Sequence, residues 1–356
     1  MRILLFGDFS GYHKNLKVGL ESLGHNVNIA SDGNKWKKIE GADINLDFSK
    51  RKFPKIYLRL YLLFKIYLFI GYDVIQIMSP DYLYLRSFPR KIFFKLLKFF
   101  NKKIFLLAAG SDGYYWKYGR KNLRYSIHND HLKIDLKLDK HPKESKRYFQ
   151  FNKYIADNCD GIIPIVYDYS ICYEGHKNLL KIIPIPLDFK SVDYKKNIVK
   201  KKLIVFHGLS LSRNGFKGTH YIKEAFDYLR KKYDNDLELI IKGEMALKDY
   251  LLLMKKANVV IDQVNSYSVG LNGLYAMAMG KVLLGGAEPE SLTSLGVNST
   301  PVINIKPHVK NIITNIEKLV NEKEKISEIG FKSRKFVEKH HDPKKIASQF
   351  IKAWES

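Results

Sequence analysis

The sequence predicts an α/β fold made of two units, each alternating strands with helices, and three observations carry that reading. The chain opens as a βαβ unit: RILLFGD, residues 2–8, is a buried strand, Gly7 and Gly11 bracket a turn, HKNLKVGLESLG is a helix stopped by Gly24, and HNVNIA is the next strand. At 356 residues the chain is too long for one comfortable core, because single cores seldom grow beyond roughly 250 to 300 residues. Polar and glycine-rich stretches recur where strands end, which is where open parallel sheets collect their ligands.

Composition narrows the partners. Apolar residues make up 46% of the chain, ample for a packed core, while 61 Lys and Arg against 36 Asp and Glu leave a net charge of +25. Such a balance implies an anionic partner: nucleic acid, a membrane surface or a phosphorylated ligand. The basic residues lie among apolar helices and no nucleic-acid recognition motif appears, which disfavours the first. Between Lys50 and Lys103 there are thirteen Lys or Arg and two acids, Asp73 and Asp81, among many Phe, Tyr and Leu. Cys159 and Cys172 give neither a disulfide framework nor a metal-ligand spacing, which suits a reducing cytoplasm. MRILLFGDFSG lacks the features of a signal peptide, and the apolar window from Ile56 to Ile70 is short and interrupted by Arg59 and Lys65. The expected location is the cytoplasm, with peripheral contact at the inner face of the cell membrane as an option.

Taken in order, residues 55–70 and 88–103 read as helices with lysine-flanked apolar faces. They are either crossover helices with solvated basic rims or a contact for anionic lipid headgroups through residues 50–103. YDVIQIMSP, between them, is a strand, and so is KIFLLAAG, which runs into Ser111 and Asp112. Asp112 is a candidate for acceptor orientation or acid/base work, or else a cap for the turn at Gly113. Residues 117–150 read as polar and irregular, a candidate acceptor loop, and His128, His131 and His141 within it lack a metal-binding spacing. FNKYIADNCDGIIPIVYDY gives helix, strand and helix, and KIIPIPLDF, residues 181–189, reads as a strand carrying two prolines.

The second unit opens with the strand KKLIVFHG and a loop, LSLSRNGFKGTH, before an amphipathic helix. Arg213 stands four residues before Lys217, so a planar fork and a compact charge converge on one phosphate. LELIIKGE is the next strand, the Asp234-Asn235-Asp236 run before it is a turn, and YLLLMKKAN is a helix. NVVI then leads into residues 262–286, DQVNSYSVGLNGLYAMAMGKVLLGG, around which the chain is organised. A strand ending at Asp262 and a helix starting near Gly270 leave free N–H groups and a helix dipole, a seat for a diphosphate. Asn272 and Tyr275 fall one helical turn apart and offer an amide and a hydroxyl to a ribose, with Tyr275 as a core aromatic the plainer alternative. PVINI is a late strand, and Asp342 and Pro343 start the last helix as N-cap and first-turn proline.

The run Ala276-Met277-Ala278-Met279-Gly280-Lys281 resembles the Glu-Ala-Met-Ala-x-Gly-Lys-Pro signature of nucleotide-sugar glycosyltransferases of the GT-B fold, family 4 type. Lys217-Gly218, Gly243 and the Pro184-x-x-x-Asp188 segment also fit places in that pattern, as do Gly110, Ser111 and Asp112, with Ala109 where the family has histidine. The two family glutamates are absent: Tyr267 and Tyr275 occupy their positions. The resemblance implies two Rossmann-like domains facing across a cleft. The expected divisions are residues 1–187 for the acceptor, 188–341 for the nucleotide sugar, and 342–356 as a helix returning to the first domain. It implies a metal-independent glycosyltransferase with no cofactor, taking a nucleotide-diphosphate sugar as donor and a lipid-linked or glycan acceptor, as in bacterial surface polysaccharide synthesis. The catalytic candidates are Asp112, Arg213 and Lys217. The donor-binding candidates are Gly11, Gly218, Gly243, Asn265, Gly270, Leu271, Asn272 and Tyr275. The alternative is a partner subunit of the same fold that binds a nucleotide sugar or glycan without turnover.

Overall fold

A computed structural model of the chain describes residues 1–33, 41–83, 85, 87–209, 213–243, 245 and 247–356. Two sheets, parallel throughout, account for its strands. The first is built from β1 (Arg2–Phe6), β2 (Asn26–Ser31), β3 (Ile44–Asn45), β4 (Val74–Ile77), β5 (Lys103–Ala108) and β6 (Gly161–Pro164), in the order β3-β2-β1-β4-β5-β6. The second contains β7 (Leu203–Leu209), β8 (Leu237–Gly243), β9 (Val259–Ile261), β10 (Val282–Gly285) and β11 (Ile303–Asn304), in the order β11-β10-β9-β7-β8. Among the described residues, helices make the crossovers from β1 to β2, from β3 through β6 and from β7 through β11, as parallel pairing requires. The α/β class predicted from the sequence is the class observed.

Alternation along the strands sets the layers. On β1, Ile3 and Leu5 turn to one face, where they meet Tyr12, Leu16 and Leu20 of helix Tyr12–Ser22 and Ile346, Phe350 and Trp354 of helix Pro343–Glu355. Leu4 and Phe6 turn to the other, under helices Pro54–Phe64, Ser87–Phe100 and Lys146–Asn158. The terminal helix thus lies against the first sheet. Its approach is close: a Cβ on Gly19 would stand 1.9 Å from the Pro343 carbonyl oxygen. Asp342 caps this helix by accepting from Lys345 N at 2.9 Å, a bond worth about 1 kcal/mol.

In the second sheet, Val205, Val259 and Leu284 pack under helices Thr219–Lys232 and Val309–Asn321. The opposite face, with Phe206, Val260 and Leu283, joins the core that also holds Ile3 and Leu5, so one apolar cluster runs through both halves. The chain crosses between the halves twice, and the crossings are tied together. Leu187 N–H donates to the His341 carbonyl at 2.9 Å, and His341 Nδ1 lies 2.8 Å from the Ile185 carbonyl oxygen.

Two expectations change. KIIPIPLDF is not a strand: Pro184 and Pro186 lack the N–H a ladder needs, and the segment makes single bonds, such as Ile183 N–H to the Pro164 carbonyl at 3.0 Å. Residues 117–150 are more ordered in form than a polar irregular loop. Helix Gly113–Asn122 is followed by helical turns at His128–Asp130 and His131–Leu136 that bury His128, His131 and Leu132. The apolar side chains Ile127 and Leu132, spaced five apart, are what seat that segment on the first core. Ser210–Ser212 of the loop before Arg213 and Glu244 after β8 lie outside the described residues.

Candidate functional site

The order of the first sheet reverses between β1 and β4, and that of the second between β7 and β9. Ligands of open parallel sheets bind beyond the strand C-termini at such reversals. A cavity of about 160 Å³ lies there, between the halves. The first half lines it with Phe9 and Ser10 after β1, Met78 after β4, Ala109 after β5 and the stretch after β6 that holds Asp168 and Tyr169. The second half supplies Phe216 and most of the segment from Gln263 to Leu271.

Helix Leu271–Ala278 points its N-terminus into this space. Gly270 precedes it in extended conformation, φ −88° and ψ 173°, and no side chain caps it. Its first N–H groups therefore remain available to an anion. Asn272 Nδ2 donates to Asp262 Oδ1 at 3.1 Å, which fixes the loop ahead of the helix. Asn265, buried at the cavity wall, donates to the Gly215 carbonyl at 2.9 Å and to Asp130 Oδ2 at 3.0 Å. Val264 N–H reaches the Lys217 carbonyl at 3.1 Å. The loops after β7 and β9 thus meet, as the convergence of Arg213, Lys217 and the helix tip requires.

The side chains of that loop are placed less simply. Arg213 lays its guanidinium 3.8 Å over the Phe216 ring. Lys217 donates to the Gly208 carbonyl at 2.9 Å, and burial lowers its pKa while nearby Asp262 opposes the shift. Neither lines the cavity. The N–H groups of Gly215 and Phe216 are taken: both donate to the carboxylate of Asp135, each at 2.9 Å. Asp135 comes from the first half, its side chain is 2% exposed, and its Oδ2 lies 2.7 Å from His131 Nδ1. An internal carboxylate therefore occupies the amides of this turn.

Other candidates sit beside the cavity as framework. Gly11, at φ +85°, begins helix Tyr12–Ser22 in a left-handed conformation that favours glycine. Gly218, at φ +70°, leaves no room for a Cβ, which would stand 2.2 Å from Val264. Gly243 packs against Leu209, whose carbonyl oxygen would be 1.8 Å from a Cβ. Tyr275 is half-buried near Asn15 and Asp8 of the first half, and burial raises its pKa. Asp112 is 4% exposed and occupies the cap position rather than the cavity wall. It accepts from Tyr115 N at 3.0 Å at the start of helix Gly113–Asn122 and from the Tyr173 hydroxyl at 2.5 Å.

The sequence reading missed Asp168. Its Oδ1 crosses the cleft to accept from the Ser266 hydroxyl and the Tyr267 N–H, both at 2.9 Å. Its Oδ2 is buried without a partner among the described residues, and burial raises its pKa. Nothing around Asp168 in the sequence singles it out, since its partners lie 98 and 99 residues away. Tyr267, at the place of a family glutamate, also binds the halves together. Its hydroxyl accepts from Arg124 N at 2.6 Å, and its ring lies against Tyr125 and Tyr167. Arg124 reaches Glu288 and Glu290, and Tyr125 donates to Glu288 at 2.9 Å, which assigns the two acids to the seam. His128 and His141 stack on Tyr115 and Trp116. Among the described residues no group of three His, Cys, Asp or Glu is placed to hold a metal ion.

No protein-family model and no curated protein matches the sequence. Solved structures do match along the whole chain. Sucrose-phosphate synthase from Thermosynechococcus elongatus superposes with a TM-score of 0.67 at 15% identity, covering 100% of this chain and 98% of its own. The fold is GT-B. HepE of Anabaena, solved in complex with UDP-glucose, matches with a TM-score of 0.62 at 11% identity over 100% of both chains. UDP-GlcNAc 2-epimerase from Neisseria meningitidis, solved with UDP-GlcNAc, matches at 0.54 and 12% identity over 99% of both. The GT-B cleft corresponds to the cavity between the two switch points.

Proposed function

We propose that the protein is a glycosyltransferase that takes a UDP-type nucleotide-diphosphate sugar and passes the sugar to a lipid-linked or glycan acceptor. The observation that carries this is the uncapped N-terminus of helix Leu271–Ala278 opening into a cavity at both switch points. HepE, of the same GT-B fold, was solved with UDP-glucose, and that agrees with a diphosphate at this helix.

In the reaction, an acceptor hydroxyl attacks the anomeric carbon, the bond from that carbon to the diphosphate oxygen breaks, and its electron pair leaves with the nucleotide. The charge grows on the leaving phosphate. The N–H groups at Leu271 to Gly273, fixed before the reaction begins, stabilise it, and Arg213 and Lys217 leave the Phe216 ring and the Gly208 carbonyl to join them when the donor is seated. The hydroxyl proton goes to Asp168, a carboxylate at the cavity wall whose pKa burial raises. Asp112 then serves by holding helix Gly113–Asn122 rather than by touching substrate.

Seating a phosphate on the turn Asn214–Lys217 requires Asp135 to release the Gly215 and Phe216 amides. The second reading, a binding subunit without turnover, is favoured by one feature, the tyrosines at both family glutamate positions. Donor turnover with a panel of nucleotide sugars separates the two. Arg213→Ala and Lys217→Ala should each cut the rate about a hundredfold, the scale of losing one such donor. Near-normal rates in both variants would overturn the assignment, and no turnover of any donor that binds would favour the binding subunit.

A further inference from the structure

The outer layer over the second face of the first sheet is apolar where it meets water. Helix Pro54–Phe64 buries Leu58 and Leu62 but leaves Leu63 67% and Phe64 72% exposed, with Ile56 and Leu60 also turned out. Helix Ser87–Phe100 leaves Phe99 81% exposed, with Ile92 and Leu96 beside it in the turns before. The turn that follows the first helix meets the end of the second: Gly71 N–H donates to the Phe100 carbonyl at 3.1 Å, Asn101 Nδ2 donates to the Phe69 carbonyl at 2.9 Å, and the Phe69 and Phe93 rings lie 5.4 Å apart. Both helices cover the same side of the first sheet, so both exposed sets lie on the outer surface of one layer.

Cations ring this face. Arg59, Lys65, Lys91, Lys95 and Lys98 are all exposed on the same helices or the turn between. The stretch from Lys50 to Lys103 holds thirteen basic residues and two acids, a difference of eleven positive charges. The two acids are already engaged, Asp73 with Lys102 and Asp81 with Arg90 and Lys143. That charge argues against a second copy of the chain as the cover, because a symmetric pair would bring two strongly positive faces together. It complements an anionic lipid surface, whose headgroups take the cations while the aromatic and aliphatic tips enter the interface.

We propose that this face docks the protein on an anionic bilayer, as a peripheral contact: among the described residues no helix is long and apolar enough to cross a membrane. Docking does not depend on the transferase reading.

The test is sedimentation of the full chain with vesicles of phosphatidylcholine alone and of phosphatidylcholine with phosphatidylglycerol. Two triple variants accompany it, Leu63→Ser/Phe64→Ser/Phe99→Ser and Arg59→Glu/Lys65→Glu/Lys95→Glu, all at exposed positions, with melting curves checking that each folds. Binding to the anionic vesicles is expected, at least about tenfold weaker in each variant and weakened further by salt. Absence of binding by the unmodified chain, or undiminished binding by the apolar variant, would overturn the proposal. So would a concentration-dependent dimer that the apolar variant breaks without lipid.

Discussion

Asp168 and Asp112 show how two buried carboxyls divide their work by position. Both have raised pKa values because burial disfavours the charged form. Asp112 spends both oxygens on its own half, whereas Asp168 stands at the cavity wall and binds across the cleft. Asp168→Asn should therefore lower turnover by about a hundredfold or more, the usual loss of a general base, while nucleotide affinity changes little. An equal loss of both in a steady-state and binding comparison would make Asp168 a strut of the seam. The sequence made Asp112 visible because it follows a strand end through Gly110 and Ser111, and the helix-cap alternative was already legible there. Asp168 was not legible, because its meaning comes from Ser266 and Tyr267 across the cleft. Tyr267 was legible only as a missing carboxylate, and Tyr275 as that, as a ribose-facing hydroxyl or as a core aromatic. Their contacts with Arg124, Tyr125 and Tyr167, and with Asn15, arise from tertiary placement.

At the scale of elements, the turn Asn214–Lys217 and the segment His131–Leu136 form a latch between the halves. Asp135 closes it by accepting two N–H bonds from the turn between Arg213 and Lys217. Removing that carboxylate has two opposed effects. Asp135→Ala should lower the stability of the ligand-free protein by about 2 kcal/mol, the scale of charge-assisted hydrogen bonds, and tighten UDP binding severalfold by ending competition for the amides. Titration calorimetry with UDP checks it, and weaker binding together with lower stability would mean that Asp135 builds the site instead of blocking it. Periodicity made most helices and strands legible here, from the opening βαβ unit to the terminal helix started by Asp342. It failed at KIIPIPLDF, where apolar content suggested a strand but the prolines removed the donors. It failed again at residues 128–136, where the helical turns are held by burial of Leu132 and by pairing with the second half.

For the molecule as a whole, burial of neutral histidines governs its response to acid. Burial pushes His13, His128 and His341 down to about 4 and His207 to about 3, each below the 6.5 of an exposed imidazole. The unfolded chain then binds more protons than the folded one below pH 6.5, so stability is lost as pH falls through that window, by about 1.4 kcal/mol per histidine per pH unit. Asp8, raised to about 6, pulls the other way, as do Asp112 and Asp168. Asp8 is half protonated at about 6, so the histidine share is read by difference: His341→Gln should reduce the stability lost between pH 7.5 and 5.5 by about 1.4 kcal/mol per pH unit, as denaturant melts of the two chains would show. The same pH dependence in both chains would contradict it. The two-unit architecture was legible in length and alternation, whereas the closure of the cleft was not, because no local pattern encodes contacts such as Arg124 with Glu288. In the proposed reaction a nucleotide diphosphate binds between the halves, held by the helix tip at Gly270 and the loop of Arg213 and Lys217. Thermal shift with UDP and UDP-sugars tests it most directly, since a ligand selective for the folded form raises the melting point. A saturable rise is expected for the unmodified chain, about tenfold weaker in apparent affinity for Arg213→Ala/Lys217→Ala. No rise with any nucleotide, or an identical rise in the double variant, would contradict the account.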